Sequence, residues 1–104
     1  MVAWYSTETV AGKQITKHIG VATGSTIRAR NIGRDIVAGL RTLVGGELPE
    51  YTEMMAHARN QAVERMLQKA EEMGADAVVC VRFSTAMVMQ GTAEVMAFGT
   101  AVKF

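Results

Sequence analysis

Between Gln14 and Thr23 the side chains alternate in steps of two. Ile15, Ile19 and Val21 share one face with Lys17, and Thr16, His18, Gly20 and Ala22 share the other, which predicts a strand over 14–23. Gly24-Ser25-Thr26 then reads as a turn ending in a helix N-cap, because Ser and Thr oxygens accept from the free amides of a first helical turn. Ala29, Ile32, Ile36, Leu40 and Leu43 follow at spacings of three and four, the stripe of a short amphipathic helix. Gly33 and Gly39 each weaken that helix by ~1 kcal/mol relative to Ala, so it depends on tertiary packing. Gly45-Gly46 ends it.

A longer helix is expected next. Pro49 suits a first turn, and Glu47, Glu50 and Glu53 stand near the positive end of the helix dipole. Tyr51, Met55, Ala58, Ala62, Met66, Ala70 and Met73 make an apolar stripe that Met54, Val63 and Leu67 widen. Glu53, His57, Asn60, Glu64, Gln68 and Glu71 line the other side, and Gly74 is placed as the residue that closes the helix. Strands are predicted over 77–83 and 94–102, with 87–92 as the loop of an antiparallel pair. The order strand, short helix, long helix, strand, strand specifies an α+β fold. It is a small β-α-β-β two-layer sandwich with an antiparallel sheet, one face covered by the long helix and an extra short helix. The last strand carries almost no charge between Glu94 and Lys103, so the sequence predicts that this edge pairs with another subunit.

Composition narrows the function classes. A length of 104 residues suits one domain over 1–104, and 49% hydrophobic with 20% charged residues is ordinary for a globular chain. A net charge of +1 gives no footprint for nucleic acid or a membrane surface. One cysteine rules out an internal disulfide and a cysteine-rich zinc site. No signal peptide or spanning run is apparent, so a cytoplasmic location is expected. The charge is uneven, with +4 over residues 1–45 and −3 over residues 46–104, so opposite-signed regions can meet within or between protomers.

The ordered set of short motifs resembles the YbjQ-like family of small prokaryotic proteins, which carries a heavy-metal-binding label. The set comprises Gly20-Val21-Ala22-Thr23-Gly24, then Asn31-Ile32 with Asp35 and Ala38, then Leu43-Val44-Gly45-Gly46 with Tyr51. Ala58-Arg59, Gly74-Ala75-Asp76-Ala77-Val78-Val79 and Gly99-Thr100-Ala101-Val102 complete it. The resemblance runs from about Ser6 to the C-terminus and implies a dodecin-like β-α-β-β core and a ring-shaped homopentamer. This chain departs from the pattern in three places. Glu47-Leu48 stands where Arg-Ser is common, Cys80 where Gly often follows the Ala-Val-Val run, and Arg28, Arg30 and Arg34 make the first helix unusually basic.

The candidate chemistry is sparse. Cys80 offers a thiolate, the donor preferred by soft metals and chalcogen species, and Arg82 two positions on would favour it; a small buried apolar side chain is the competing reading. By alternation Cys80 shares a face with Val78, Arg82 and Ser84. His18 on its strand, and Glu53 with His57 four residues apart on one helix face, complete the candidate metal set, against the reading of ordinary solvated polar residues. Arg30 and Arg34, with Asp35 beside them and Arg41 on the same helical face, form a candidate anion or small-molecule site near the expected N-cap at Ser25-Thr26. The alternative is pairing with Glu47, Glu50 or Glu53 of a neighbour. Met87, Met89 and Met96 are a candidate thioether cluster, and Trp4 and Tyr5 either stack on a flat ligand or anchor the chain end against a neighbour. No catalytic constellation stands out. The leading expectation is therefore a non-enzymatic homopentamer binding a heavy metal or soft chalcogen species. The rivals are an anion- or small-molecule-binding ring and a scaffold without ligand.

Overall fold

The computed structural model describes residues 2–29, 49–89 and 92–104. They form β1 (Ala3–Trp4), β2 (Lys17–Ala29), α1 (Pro49–Glu72), β3 (Ala77–Met89) and β4 (Thr92–Lys103). The strands make one sheet in the order β1-β3-β4-β2. β1 runs parallel to β3, while β4 is antiparallel to both β3 and β2. The α+β class holds, but the sheet is mixed and four-stranded, because the first residues add a parallel edge strand that two positions of sequence do not signal.

The helix begins at Pro49 and buries the expected stripe: Ala58, Ala62, Met66 and Ala70 are fully inaccessible. Met55, Val63, Leu67 and Met73 pack around them. Its end is a Schellman motif. Gly74 has φ +83°, its amide donates to the Glu71 carbonyl at 3.0 Å, and the Ala75 amide donates to the Ala70 carbonyl at 3.0 Å.

Alanines along this stripe let the helix lie close to the sheet, and Gly24 is where the two backbones meet. A Cβ on Gly24 would overlap the Ala62 carbonyl oxygen and the Met66 amide nitrogen, and would stand 2.7 Å from the Arg65 carbonyl carbon. The turn expected at Gly24-Ser25-Thr26 is therefore a stretch of β2, its glycine serving close packing. The N-cap reading falls with it. Thr26 is buried and its Oγ1 donates to Gln61 Oε1 at 2.7 Å, while Arg65 Nη1 donates to the Ser25 carbonyl at 2.6 Å. Arg28 Nη2 also donates to Gln61 Oε1, at 2.9 Å. The helix predicted from Ala29 to Leu43 lies, after Ala29, outside the described residues.

Two further expectations change. β3 and β4 run through most of the predicted 87–92 loop, with Met87 opposite Ala93 and Met89 opposite Thr92. β4 is also an interior strand, hydrogen-bonded on both sides, so its lack of charge reflects burial within this chain and not pairing with another subunit. The sheet edges are β1 and β2.

The sheet has a core on each face. Ala22, Val78, Val81, Val95, Ala97 and Ala101 pack beneath α1. On the opposite face Val10, Ala77, Val79 and Val102 are buried with Tyr5, Ile15, Cys80 and Phe104. That second core exists because residues 5–16 cross the sheet. The Tyr5 amide donates to the Val78 carbonyl (2.8 Å), the Val81 and Cys80 amides donate to the Tyr5 and Thr7 carbonyls (both 3.0 Å), and the Thr16 amide donates to the Lys103 carbonyl (2.9 Å). The face expected to unite Ile15, Ile19 and Val21 is broken by a bulge between His18 and Gly20. Ile19 packs toward the helix, Ile15 joins the second core, and Val21 is 67% exposed.

Candidate functional site

A second bulge lies in β3. Val79 faces Thr100 and Arg82 faces Phe98, so Cys80 and Val81 together oppose Gly99. Cys80 sits at φ 56°, a left-handed conformation that glycine occupies without strain and a residue with Cβ does not. The extra residue resets the alternation. Val78 and Val81 both face the helix, while Val79 and Cys80 belong to the opposite core, so Cys80 does not share Val78's face as simple alternation implied.

The two bulges flank one stretch of β4, and a cavity of about 590 Å³ opens there. Cys80, Val79 and Thr100 from the sheet, His18 from the start of β2, and Glu8, Thr9, Lys13, Gln14 and Ile15 from the crossing segment line it. Cys80 is a free thiol, partly buried. Its backbone is fixed by the bond from its amide to Thr7, and Arg82 Nη1 donates to the Ser6 carbonyl at 2.8 Å, tying the crossing segment to β3 on the same side of the bulge. Bulges re-aim side chains, and here they bring a thiol and an imidazole, 62 residues apart in sequence, to one cavity.

The remaining candidates do not join them. Glu53 and His57 are exposed on α1, which covers the other face of the sheet. Arg30, Arg34, Asp35 and Arg41 lie outside the described residues. Ser25 and Thr26 are engaged with the helix. Met87, 72% exposed, lies beside Met55 at a small pocket on the helix side, whereas Met96 is level with Ser84 and Ser25 on the other face, so these two thioethers form no cluster. Trp4 meets Phe83 edge-to-face at 6.3 Å and Tyr5 packs in the second core, so both hold the chain start against its own sheet. Sequence reading missed Glu8, Thr9, Lys13, Gln14 and Thr100, none of which carries a local signal; only the crossing segment brings them together.

Thiolate and imidazole suit a soft or borderline metal. Glu8, His18 and Cys80 all line this cavity, but among the described residues no three His, Cys, Asp or Glu side chains stand close enough together to hold one metal ion, so no closed zinc centre is formed there.

Comparison with known proteins gives a consistent picture. The family model described as "Putative heavy-metal-binding" matches residues 2–104. A UPF0145 protein of Methanosarcina acetivorans is 60% identical over 98 residues, covering 94% of this chain and 92% of that one. A UPF0145 protein of Dehalococcoides mccartyi is 59% identical over 97 residues, 93% of each chain. A crystal structure from Pediococcus pentosaceus, of a protein with unknown function in the DUF74 family, aligns at a TM-score of 0.71 with 16% identity, over 99% of this chain and 97% of that one. Full-length coverage at high identity, on top of the motif order and the fold, places this chain in the YbjQ-like UPF0145 family.

Proposed function

We propose that this chain is a single-domain, homopentameric binding protein for a soft metal ion, with the Cys80 thiolate as anchoring donor. The observation that carries the reading is the shared cavity, which Cys80 and His18 both line although nothing in the local sequence links them. The bulge makes the arrangement specific, since a left-handed cysteine keeps its strained backbone where glycine would relieve it. The family description supports metal as the ligand class. Assembly is supported by the sheet face that β2 presents away from the helix, where Val21 and Ile27 are 67% and 58% exposed, and a ring of five follows the family resemblance. A reducing cytoplasm would keep the lone thiol available.

The test is an anaerobic competition titration with Cu(I) against a chromophoric chelator. Wild type should take up one ion per chain, Cys80→Ser none, and His18→Ala should bind at least ~10-fold more weakly, the usual scale of loss for a ligand or its close support. Unchanged uptake by Cys80→Ser would sink the proposal. One observation favours the anion-binding rival: Arg28 Nε is buried with no hydrogen-bond partner among the described residues, on the strand that leads toward Arg30 and Arg34. That rival requires phosphate binding which Arg30→Ala with Arg34→Ala removes and Cys80→Ser leaves intact.

A further inference from the structure

The chain is drawn out along its strands. β2, β3 and β4 run for 12 or 13 residues, about twice the usual strand length, and the molecule measures 53 × 23 × 19 Å. Its accessible surface is 6916 Å², against ~5,700 Å² for a compact monomer of 11.2 kDa. The surplus of about 1,200 Å², divided between two contacts, gives roughly 600 Å² per side, the lower end of specific interfaces.

Among the described residues the large apolar side chains that stand exposed are Trp4, Val21, Ile27, Phe83 and Met87, and they fall into two strips. The first is on the helix face of the β1-β3 edge. Trp4 pairs with Val78, Phe83 with Ala97 and Met87 with Ala93, while α1 lies over β2 and β4 and scarcely over β3. The second is on the opposite face of the β2 edge, where Val21 and Ile27 alternate with the helix-facing Ala22, Gly24 and Thr26. Neither row carries a charge: Thr85 lies between Phe83 and Met87, and Thr23 and Ser25 between Val21 and Ile27. Charged side chains are depleted from the centres of interfaces, because they lose water there.

The strips stand at one height on the sheet. Through Thr100, Val21 is level with Val79, and through Glu94, Ile27 is level with Ala86; Trp4 and Met87 span the same stretch of β3. We infer that these strips are the two halves of one head-to-tail interface, the Val21–Ile27 strip of one copy lying on the Trp4–Phe83–Met87 strip of the next. The inference rests on the homo-oligomer reading above and names its contact. Pairing like with like would leave one strip of every chain bare in a dimer. Unlike strips cover both, and their equal heights call for rotation between copies without a rise along the strands, the condition for a closed ring over a filament.

Phe83→Lys and Ile27→Lys test this, each placing an unpaired charge in the contact from a position exposed in the single chain. Native mass spectrometry should show wild type and the helix-surface control Gln68→Lys as rings, and each variant as a single chain with unchanged far-UV circular dichroism. Met87→Lys and Val21→Lys repeat the test where the side chains are most exposed. Mixed together, Phe83→Lys and Ile27→Lys chains each keep one intact strip, so they should form a heterodimer of one copy each and nothing larger. Rings that survive all four substitutions, or a mixture that stays as single chains, overturn the inference and leave the oligomer standing. A wild-type monomer overturns the oligomer and this inference with it.

Discussion

Cys80 is the residue on which backbone and chemistry pull in opposite directions, and replacing it by glycine measures the tension. A side chain with Cβ in the left-handed region costs roughly 1–2 kcal/mol that glycine does not incur. Glycine's extra freedom in the unfolded chain offsets roughly 0.5–1 kcal/mol of that gain. Comparing Cys80→Gly with Cys80→Ala removes the sulfur from both and leaves only the Cβ, so the glycine variant should be more stable by about 1 kcal/mol. In thermal unfolding that is a rise of roughly 4–8 °C, read at one protein concentration so that assembly does not enter the comparison. Thr85, an exposed β3 position without positive φ, is the control, and there glycine should be less stable than alanine by about 0.5–1 kcal/mol. The order at position 80 must invert relative to position 85. Cys80→Gly matching or falling below Cys80→Ala would refute the bulge geometry. A stabilised Cys80→Gly that has lost Cu(I) would show a functional thiol held at the expense of stability.

Three other substitutions probe the frame around the site. Gly24→Ala drives a methyl into the backbone of α1 at Ala62 and Met66 and should destabilise by about 3 kcal/mol in urea unfolding, the upper range for overpacking. Gln61→Ala strips Thr26 and Arg28 of their shared acceptor and should cost about 1–3 kcal/mol, whereas loss of a surface contact alone would scarcely move the midpoint. Gly74→Ala places a Cβ at φ +83° in the helix cap and should cost about 1 kcal/mol, visible in the same assay.

The parts of the fold written in local periodicity were legible. The long helix, its proline start and its glycine cap follow from a repeat of three and four that tertiary packing has no reason to override. The strands before and after it were visible as apolar runs, but their lengths and neighbours were not. Gly24-Ser25-Thr26 has turn composition, yet its glycine answers to a helix backbone nearly 40 residues away in sequence. β4 looked like an unprotected edge because absence of charge describes equally an interior strand and a strand awaiting a partner.

The site was half legible for the same reason. Cys80 and His18 stood out by residue type, since thiol and imidazole are rare in this chain. Their convergence depends on two bulges and on the segment from Tyr5 to Thr16 crossing the sheet, all long-range features. One clue did lie in the sequence. The family resemblance marked position 80 as a common glycine, and the positive φ explains why glycine suits it. The same comparison makes cysteine there a feature of this chain that backbone preference opposes.

The most direct test of the central claim is native mass spectrometry of untagged protein, purified anaerobically from its own host, beside Cys80→Ser prepared identically. The account predicts a pentamer that retains soft metal in the wild type and a pentamer of bare polypeptide in the variant. Metal retained equally by both, or a wild-type monomer without added mass, would contradict it.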